Sequence, residues 1–467
     1  MAQSSTPQHP KLTLIGAGSL FFGRQAIWQM VHSPLLNQGT LALVDINPQR
    51  LEQMARLARM VIADSAASSG VKLAVEASTD RKDVLDGSDF VVLSFANQSV
   101  KYRGLDCEIA AKYGIRMCSG DSTGPGGIFR TLRELPAILD MARDVRALCP
   151  QAWLINYVNP TAAQGIGLRR YAPDVKSFAL CDGLHMPYVK QRHALQAGIV
   201  ADADAYTADV ARRFDLRIAG VNHFTWILKA AYDGQDKITA LAAAIRRDAE
   251  AEAGRVGAGS KEIFNATIGV ALYEAFGIVP ACVAHTKEYV RFWQGLGKTA
   301  EPVPPLSLWQ TAPRYKLHEQ MWQQVDDFTS GRRPISDFMK IFGPDHATDV
   351  IKAMVGGLPK PFYINTFNAG SVTNMADDAF LELLCDVDMS GPRPRPVGAM
   401  PRGVRGLQEQ VLDAHELAAA AAATCDRAML RRAMLTDPLV SSIGDADAII
   451  RELLEAEREA LPAGWFA

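Results

Sequence analysis

The sequence predicts an α/β fold: a doubly wound, mainly parallel sheet over residues 11–190, then an α+β part over residues 191–467. Three observations carry this. An apolar run at residues 12–15 leads directly into Gly16-Ala17-Gly18-Ser19 and a helical stretch. Strand-length apolar runs then alternate with amphipathic stretches as far as residue 180. Beyond about residue 190 that alternation stops and longer helical periodicities take over.

Taken in order, residues 12–15 form the first strand, 16–19 the turn after it and 22–32 a helix. Residues 40–44 are the second strand, ending at Asp45, and 48–63 have helical periodicity. Strands follow at 73–75 and 90–93, with a short helix at 81–85 between them. Residues 104–113 are helical, a glycine loop spans 120–127, and 131–148 is a long amphipathic helix. Residues 153–156 are a strand stopped by Asn159-Pro160, and 175–180 is the last strand assigned to the first sheet. Residues 216–219 and 226–232 pair antiparallel around the loop holding His223. Helices are expected at 238–253, 261–276 and 407–435, and the Pro- and Gly-rich segments 301–313 and 391–406 are connectors.

With 48% hydrophobic and 21% charged residues, the 467-residue chain has ordinary globular composition and room for two or three domains. A net charge of -2 advertises neither a nucleic-acid nor a membrane partner. Residues 1–10 lack an apolar core and read as a disordered lead-in, not a signal peptide. No apolar run approaches the ~18 residues of a membrane span. Seven cysteines without a pairing pattern argue for a reducing compartment, so a cytoplasmic location is expected.

Gly16-x-Gly18-x-x-x-x-Gly23 departs from G-x-G-x-x-G, with Phe at position 21. Gly16, Gly18 and Ser19 let the backbone approach a pyrophosphate at a helix N-terminus. Asp45 ends the second strand, where a carboxylate accepts hydrogen bonds from ribose hydroxyls. Together these give a Rossmann-like NAD site; the charge of Asp45 opposes the 2′-phosphate of NADP. The bland alternative is an ordinary tight turn. Asn97 follows the fourth strand, where a nicotinamide ribose would pass. Nearby Lys101 and Arg103 are either surface charges or cations facing a substrate anion.

Three patches carry the chemistry: Asp121–Gly127, Cys181-Asp182-Gly183-Leu184-His185, and Gly220-Val221-Asn222-His223. A thiolate and an imidazole are ligands for a divalent metal, so Cys181 and His223 are the expected metal pair. Asp182 is placed to handle a proton. By spacing alone a lone cysteine or histidine is more often a buried packing residue than a ligand, and a helix cap or turn is the alternative for Asp182.

On these patches the chain resembles glycoside hydrolase family 4, the NAD- and metal-dependent glycosidases related in fold to lactate and malate dehydrogenases. The resemblance covers nearly the whole chain. It rests on Ile15-Gly-Ala-Gly-Ser19, Lys112-Tyr-Gly114, Thr123-Gly-Pro-Gly-Gly127, Asn156-Tyr-Val-Asn-Pro160, Cys181, Ala219-Gly-Val-Asn-His223, Tyr363-Ile-Asn365, Asn368-Ala-Gly370 and Asp437-Pro-Leu-Val440. It implies a lactate/malate-dehydrogenase-like C-terminal domain, NAD and a divalent metal, usually manganese. Cys181 and His223 match the metal ligands; Asn156 and Asn159 match asparagines that contact cofactor and substrate; Asp121 matches an acid near the sugar. Asp182 takes the position that is Asp or His in the α-acting branches. His185 has no firm family counterpart. The base that removes the C2 proton lies in the segment Pro280–Tyr289, where His285 and Tyr289 both qualify.

The implied route is oxidation at C3, deprotonation at C2, loss of the aglycone, addition of water and return of the hydride. It differs from the displacement by paired carboxylates that most glycosidases use. The substrate is an α-glycoside, with anionic sugars such as sulfoquinovosides or uronides leading. A homodimer or homotetramer is expected from the family. The rivals are a lactate/malate-type dehydrogenase and a non-enzymatic NAD sensor. The first leaves Cys181 without a role and the second leaves the metal pair unexplained.

Overall fold

The structure, a computed structural model, describes residues 6–20, 22–253, 265–294 and 309–467. Strands β1 (Lys11–Ile15), β2 (Thr40–Val44), β3 (Ala74–Ser78), β4 (Phe90–Leu93), β5 (Trp153–Asn156) and β6 (Ser177–Ala179) pair in parallel. Their order is 3-2-1-4-5-6, that of dinucleotide-binding sheets, with the reversal between β1 and β4. The expected doubly wound sheet is therefore present. β4 and β5 are buried along their whole length. That continuous burial is what helices on both faces impose on a parallel sheet.

The sheet does not stop at β6, where the sequence reading ends it. The second half contributes β7 (Phe214–Val221), β8 (Phe224–Tyr232), β9 (Gln235–Asp236), β10 (Val279–Pro280), β11 (Phe362–Phe367), β12 (Phe380–Asp388) and β13 (Gly391–Pro394). β11 joins β6 antiparallel, and β12, β7, β8 and β10 follow in that order. One residue row crosses this junction: Ala179, Asn365, Glu382 and Gly220. These pairings link strands far apart in sequence, and no local pattern announces such partners.

The glycine segment is not wholly a loop. Gly124 opens the helix Gly124–Leu148, with Pro125 in the first turn, where its missing N–H costs nothing. A Cβ on Gly126 would lie 2.6 Å from the Gly120 carbonyl oxygen, so close packing outweighs glycine's poor helix propensity. The helix expected over 407–435 is two, Arg402–Thr424 and Arg427–Thr436. Cys425 breaks it with φ 55, and Asp426 caps the second helix. The segment 391–406 holds β13 and the start of Arg402–Thr424, so it is not merely a connector. Thr311–Thr329 is a helix; the residues 261–264 and 301–308 of the expected elements lie outside the described residues. Residues 1–5 of the expected lead-in do so too, while the Pro10 carbonyl accepts a hydrogen bond from Thr40 N–H at 3.1 Å.

The main apolar core runs through both halves of the chain. A smaller one, with Phe214, Ile218, Ile227, Leu241 and Tyr363, backs the β7–β8 hairpin. The hairpin that carries His223 is thus anchored on its own packed layer.

Candidate active site

The turn after β1 is closed against the end of β2. Gly16 has φ 90, and a Cβ there would lie 2.3 Å from the Ser94 carbonyl oxygen, so only glycine fits. Gly18 N–H donates to Asp45 Oδ2 at 2.7 Å, and a Cβ on Gly18 would meet that oxygen. Asp45 Oδ1 accepts from Asn47 N–H at 2.9 Å. Ser19 N–H closes the turn onto the Gly16 carbonyl at 2.8 Å. Asn97 is exposed just past β4, with its backbone N–H on Glu134. Asn156 ends β5, but its amide is turned inward and bonds both backbone groups of Val158. These strand ends flank the reversal between β1 and β4, where ligands of open α/β sheets bind. A tight turn that admits only glycine at positions 16 and 18, beside a strand-end carboxylate at the sheet's reversal, fits a dinucleotide.

Asp121 is the electrostatic centre of the next layer. It is buried and takes contacts from Arg130 at 3.1 Å and Arg103 at 3.3 Å. Ser119 Oγ at 2.9 Å and Asn159 Nδ2 at 3.3 Å also donate to it. Burial alone would raise this carboxyl, but Arg103, Arg130, His285 and His223 hold it well below the usual range. Lys101 and Arg103 do not converge. Arg103 turns inward to Ser119, Asp121 and the Trp309 ring. Lys101 turns outward, 3.7 Å from Glu459 and over the Tyr102 ring. Both lie on the helix Ser99–Ala111, where residues i and i+2 face different directions. Lys101 is therefore removed from the expected anion contact.

Cys181 Sγ and His223 Nε2 meet at 2.9 Å. Cys181 caps the short 3-10 turn Asp182–Leu184, its sulfur accepting Gly183 N–H. His223 sits at the tip of the β7–β8 hairpin with φ 65, a conformation costing a residue with a side chain about 1–3 kcal/mol. Gln408 holds the hairpin in place: it accepts Val221 N–H at 2.6 Å and donates to the Phe224 carbonyl at 2.8 Å. Ser122 Oγ lies 3.0 Å from His223 Nδ1, and His285 stacks on the imidazole at 4.0 Å between centroids. Burial pushes the Cys181 thiol up to about 11.

Asn365 and Glu382, in the middle of the row that crosses the sheet junction, lie directly opposite each other and share a face. Both are buried, and both Asn365 amide atoms and Glu382 Oε1 lack a hydrogen-bond partner. Burial raises the Glu382 carboxyl well above its ordinary value, with Cys181 adding to the rise and His223 opposing it. Among the described residues no three His, Cys, Asp or Glu side chains form a metal cage. The two adjacent donors fit a metal whose remaining positions are taken by oxygens from elsewhere.

The base segment places its two candidates differently. His285, on the helix Val283–Thr286, stacks on His223. Tyr289 is buried against Phe224 and its hydroxyl donates to the Asn222 carbonyl at 3.0 Å. On the opposite side, Tyr157 hydroxyl donates to Asp182 Oδ1 at 3.3 Å. Asp182 is open to solvent in front yet ringed by protein, which raises its carboxyl, with His185 and Tyr157 opposing.

Of the residues that the sequence singles out, Asp121, Asn159, Cys181, His223 and His285 come together in one cluster, with Asp182 beside Cys181. Sequence reasoning holds Ser122 and Asn365 only within quoted motifs, without a role, and misses Arg130, Glu382 and Gln408 as parts of it. Arg130 lies just past the glycine segment and is within reach of the same reasoning. Gln408 and Glu382 have no local signal.

The family model "Family 4 glycosyl hydrolase" matches residues 11–196, and that of the family's C-terminal domain matches 218–440. An α-galactosidase of Bacillus subtilis (strain 168) is 27% identical over 463 residues, spanning 97% of this chain and 99% of its own. A probable 6-phospho-β-glucosidase of the same organism is 28% identical over 465 residues, 97% of each chain. Its α-galacturonidase is 27% identical over 466 residues, 97% of this chain and 99% of its own. Among solved structures, a 6-phospho-α-glucosidase from gut microorganisms, in complex with NAD and Mn2+, superposes with TM-score 0.78. It is 20% identical and covers 97% of this chain and 99% of its own. A Cryptosporidium parvum malate dehydrogenase, 11% identical, matches with TM-score 0.50 over 89% of this chain and 99% of its own, in line with the expected fold. With both halves matched by the one family, and relatives aligned end to end, the chain belongs to the family 4 glycosyl hydrolases.

Proposed function

We propose that this protein is an NAD- and divalent-metal-dependent glycosidase acting on α-glycosides of an anionic sugar, with uronides and sulfoquinovosides as the leading choices. The observation that carries the reading is the Cys181–His223 pair, 2.9 Å apart, with Cys181 after a strand of the same parallel sheet whose first strand ends in the tight glycine turn. Residues 11–190 would hold the nucleotide and residues 191–467 would complete the sugar and metal site.

When bound, NAD and the metal, manganese by preference, supply a reversible hydride acceptor and a polarising cation next to the sugar hydroxyls. Asp45 receives the ribose hydroxyls, and Gly16, Gly18 and Ser19 leave room for the pyrophosphate. Asn97 lies along the path of the nicotinamide ribose. Cys181 and His223 would hold the metal. Ser122 Oγ at His223 Nδ1 orients the ring so that Nε2 faces Cys181 and the metal position. His285 takes the proton from C2; it faces the metal pair, whereas the Tyr289 hydroxyl is committed to Asn222. Asp182 gives a proton to the departing oxygen, a role supported by its raised pKa. Asn156 acts by shaping the turn at the end of β5. Asn159 and Asp121 orient the sugar.

The anionic preference rests on Arg103 and Arg130, two guanidinium groups sharing the Asp121 carboxylate. Such a site favours an added negative charge. The test is a panel of nitrophenyl α-glycosides, charged and neutral, incubated with NAD and manganese. Cleavage without lasting NADH accumulation, with deuterium entering C2 of the sugar in heavy water, is expected. One NADH per substrate would instead mark a dehydrogenase, and a product with its C2 hydrogen fully retained would remove the elimination route.

A further inference from the structure

Asp182 lies on a three-residue 3-10 turn, its carboxyl accepting from the Tyr157 hydroxyl at 3.3 Å and from the His346 backbone N–H. Both ends of that turn are tied to one distant helix, His346–Gly356. At the first end, His346 Nδ1 lies 3.0 Å from the Cys181 carbonyl oxygen. At the second, His185 stacks almost parallel on His346, with ring centroids 4.7 Å apart and planes 13° apart. His185 Nε2 also lies 3.7 Å from Asp349 Oδ2. Asp349 is itself held by Lys360 and by Lys352 at 3.5 Å. The tie at Cys181 bears on the metal pair. The His346–Cys181 contact does not itself pass through His185, although the two rings share one stack.

We propose that His185, pinned by Asp349 and His346, is a positioning residue for Asp182, holding its carboxyl toward the bond that breaks. This rests on the glycosidase reading above. It goes beyond that reading because it assigns a task to a histidine outside the metal, nucleotide and base groups. The consequence is selective. A leaving group that departs readily as an anion needs no proton, whereas an alkoxide does. Loss of His185 should therefore be felt in proportion to the basicity of the aglycone.

The experiment compares His185→Ala, His185→Gln and Asp349→Asn with the unmodified enzyme, loaded with NAD and manganese. Two glycosides of the same sugar are used, one with a 4-nitrophenyl and one with a methyl aglycone. His185→Ala should lose about tenfold to a hundredfold in kcat/KM on the methyl glycoside, a share of the factor general acid catalysis supplies, and less than about threefold on the nitrophenyl one. Manganese affinity should stay unchanged, because the His346 tie remains. His185→Gln, which keeps a polar group facing Asp349, should recover part of the loss, and Asp349→Asn should reproduce it in milder form. Equal losses on both glycosides, or a fall in manganese affinity, would overturn the assignment and leave His185 a packing residue. Inability of the unmodified enzyme to cleave any glycoside would defeat the underlying reading, and this inference with it, before any variant is measured.

Discussion

Cys181 Sγ lies 2.9 Å from His223 Nε2, although two other strands, β11 and β12, stand between their own strands in the sheet. Three strand spacings amount to about 14 Å in a flat sheet. The loops after β6 and β7 must therefore lean toward each other above the row that holds Asn365 and Glu382. The Cys181–His223 pair, proposed above to hold the metal, is a product of the joined sheet, and neither half of the chain makes it alone.

Removing either donor should abolish manganese binding and turnover while NAD binding survives, since the glycine turn is a separate structure. Cys181→Ser and His223→Ala are the variants. Ser122→Ala is the subtler test: it keeps both donors but frees the imidazole from its partner at 3.0 Å. Loss of such a supporting contact costs about tenfold to a hundredfold in metal affinity. Manganese titration and NAD fluorescence would separate these effects. Activity of both donor variants in the presence of a chelator would end the metal assignment.

The nucleotide half is legible because its signals are local. β2, β4 and β5 end where their apolar runs end, and the strand–glycine–helix sequence at 11–32 fixes the first turn. The metal and acid residues are legible only through the resemblance, since a lone cysteine and a lone histidine 42 residues apart say little. Glu382 and Gln408 are hidden because their partners are set by long-range pairing and by a helix end meeting a hairpin. The divergence of Lys101 and Arg103 escapes because the sequence reading starts the helix at residue 104; it begins at Ser99, and the spacing on one helix then separates the two cations.

Arg133 should prove a stability residue. It is buried with Asp106 at 2.8 Å and with Glu457 near the C-terminus, joining helix Gly124–Leu148 to the chain's end. Removing one member of a buried ionic cluster leaves a charge without compensation, at about 3–5 kcal/mol. Arg133→Ala should lower the urea midpoint by a corresponding amount, whereas a change within measurement error would mean the cluster relaxes or hydrates.

Buried histidines should also cost stability in mild acid. His193, His346 and His415 are buried, and burial lowers their values to about 3, 3 and 4 respectively. Unfolded imidazoles protonate near pH 6.5. Below that pH the unfolded state binds more protons than the native state, so each site removes about 1.4 kcal/mol of stability per pH unit until its folded value is approached. The buried carboxyls of Asp345, Glu382 and Glu457, raised by burial, act in the opposite sense, so the histidine share is read by difference: between pH 7 and pH 5 the His193→Gln variant should lose less stability than the unmodified protein, by one site's share. An equal loss in both proteins would contradict the neutral, buried state of this ring.

Arg103 carries the prediction about substrate charge. Its guanidinium reaches Asp121 at 3.3 Å and Ser119 Oγ at 2.6 Å, so it borders the sugar site while Lys101 does not. A charge-assisted hydrogen bond to a carboxylate or sulfonate contributes about 1.5–3 kcal/mol, roughly tenfold to a hundredfold in kcat/KM. Arg103→Ala should therefore lose that much on a uronide or sulfoquinovoside. A neutral galactoside, expected to be a poor substrate for the unmodified enzyme, should lose far less, because Arg130 still holds Asp121 at 3.1 Å. Parallel loss on charged and neutral substrates would reduce Arg103 to a support for Asp121. A neutral glycoside preferred by the unmodified enzyme would remove the anionic assignment altogether.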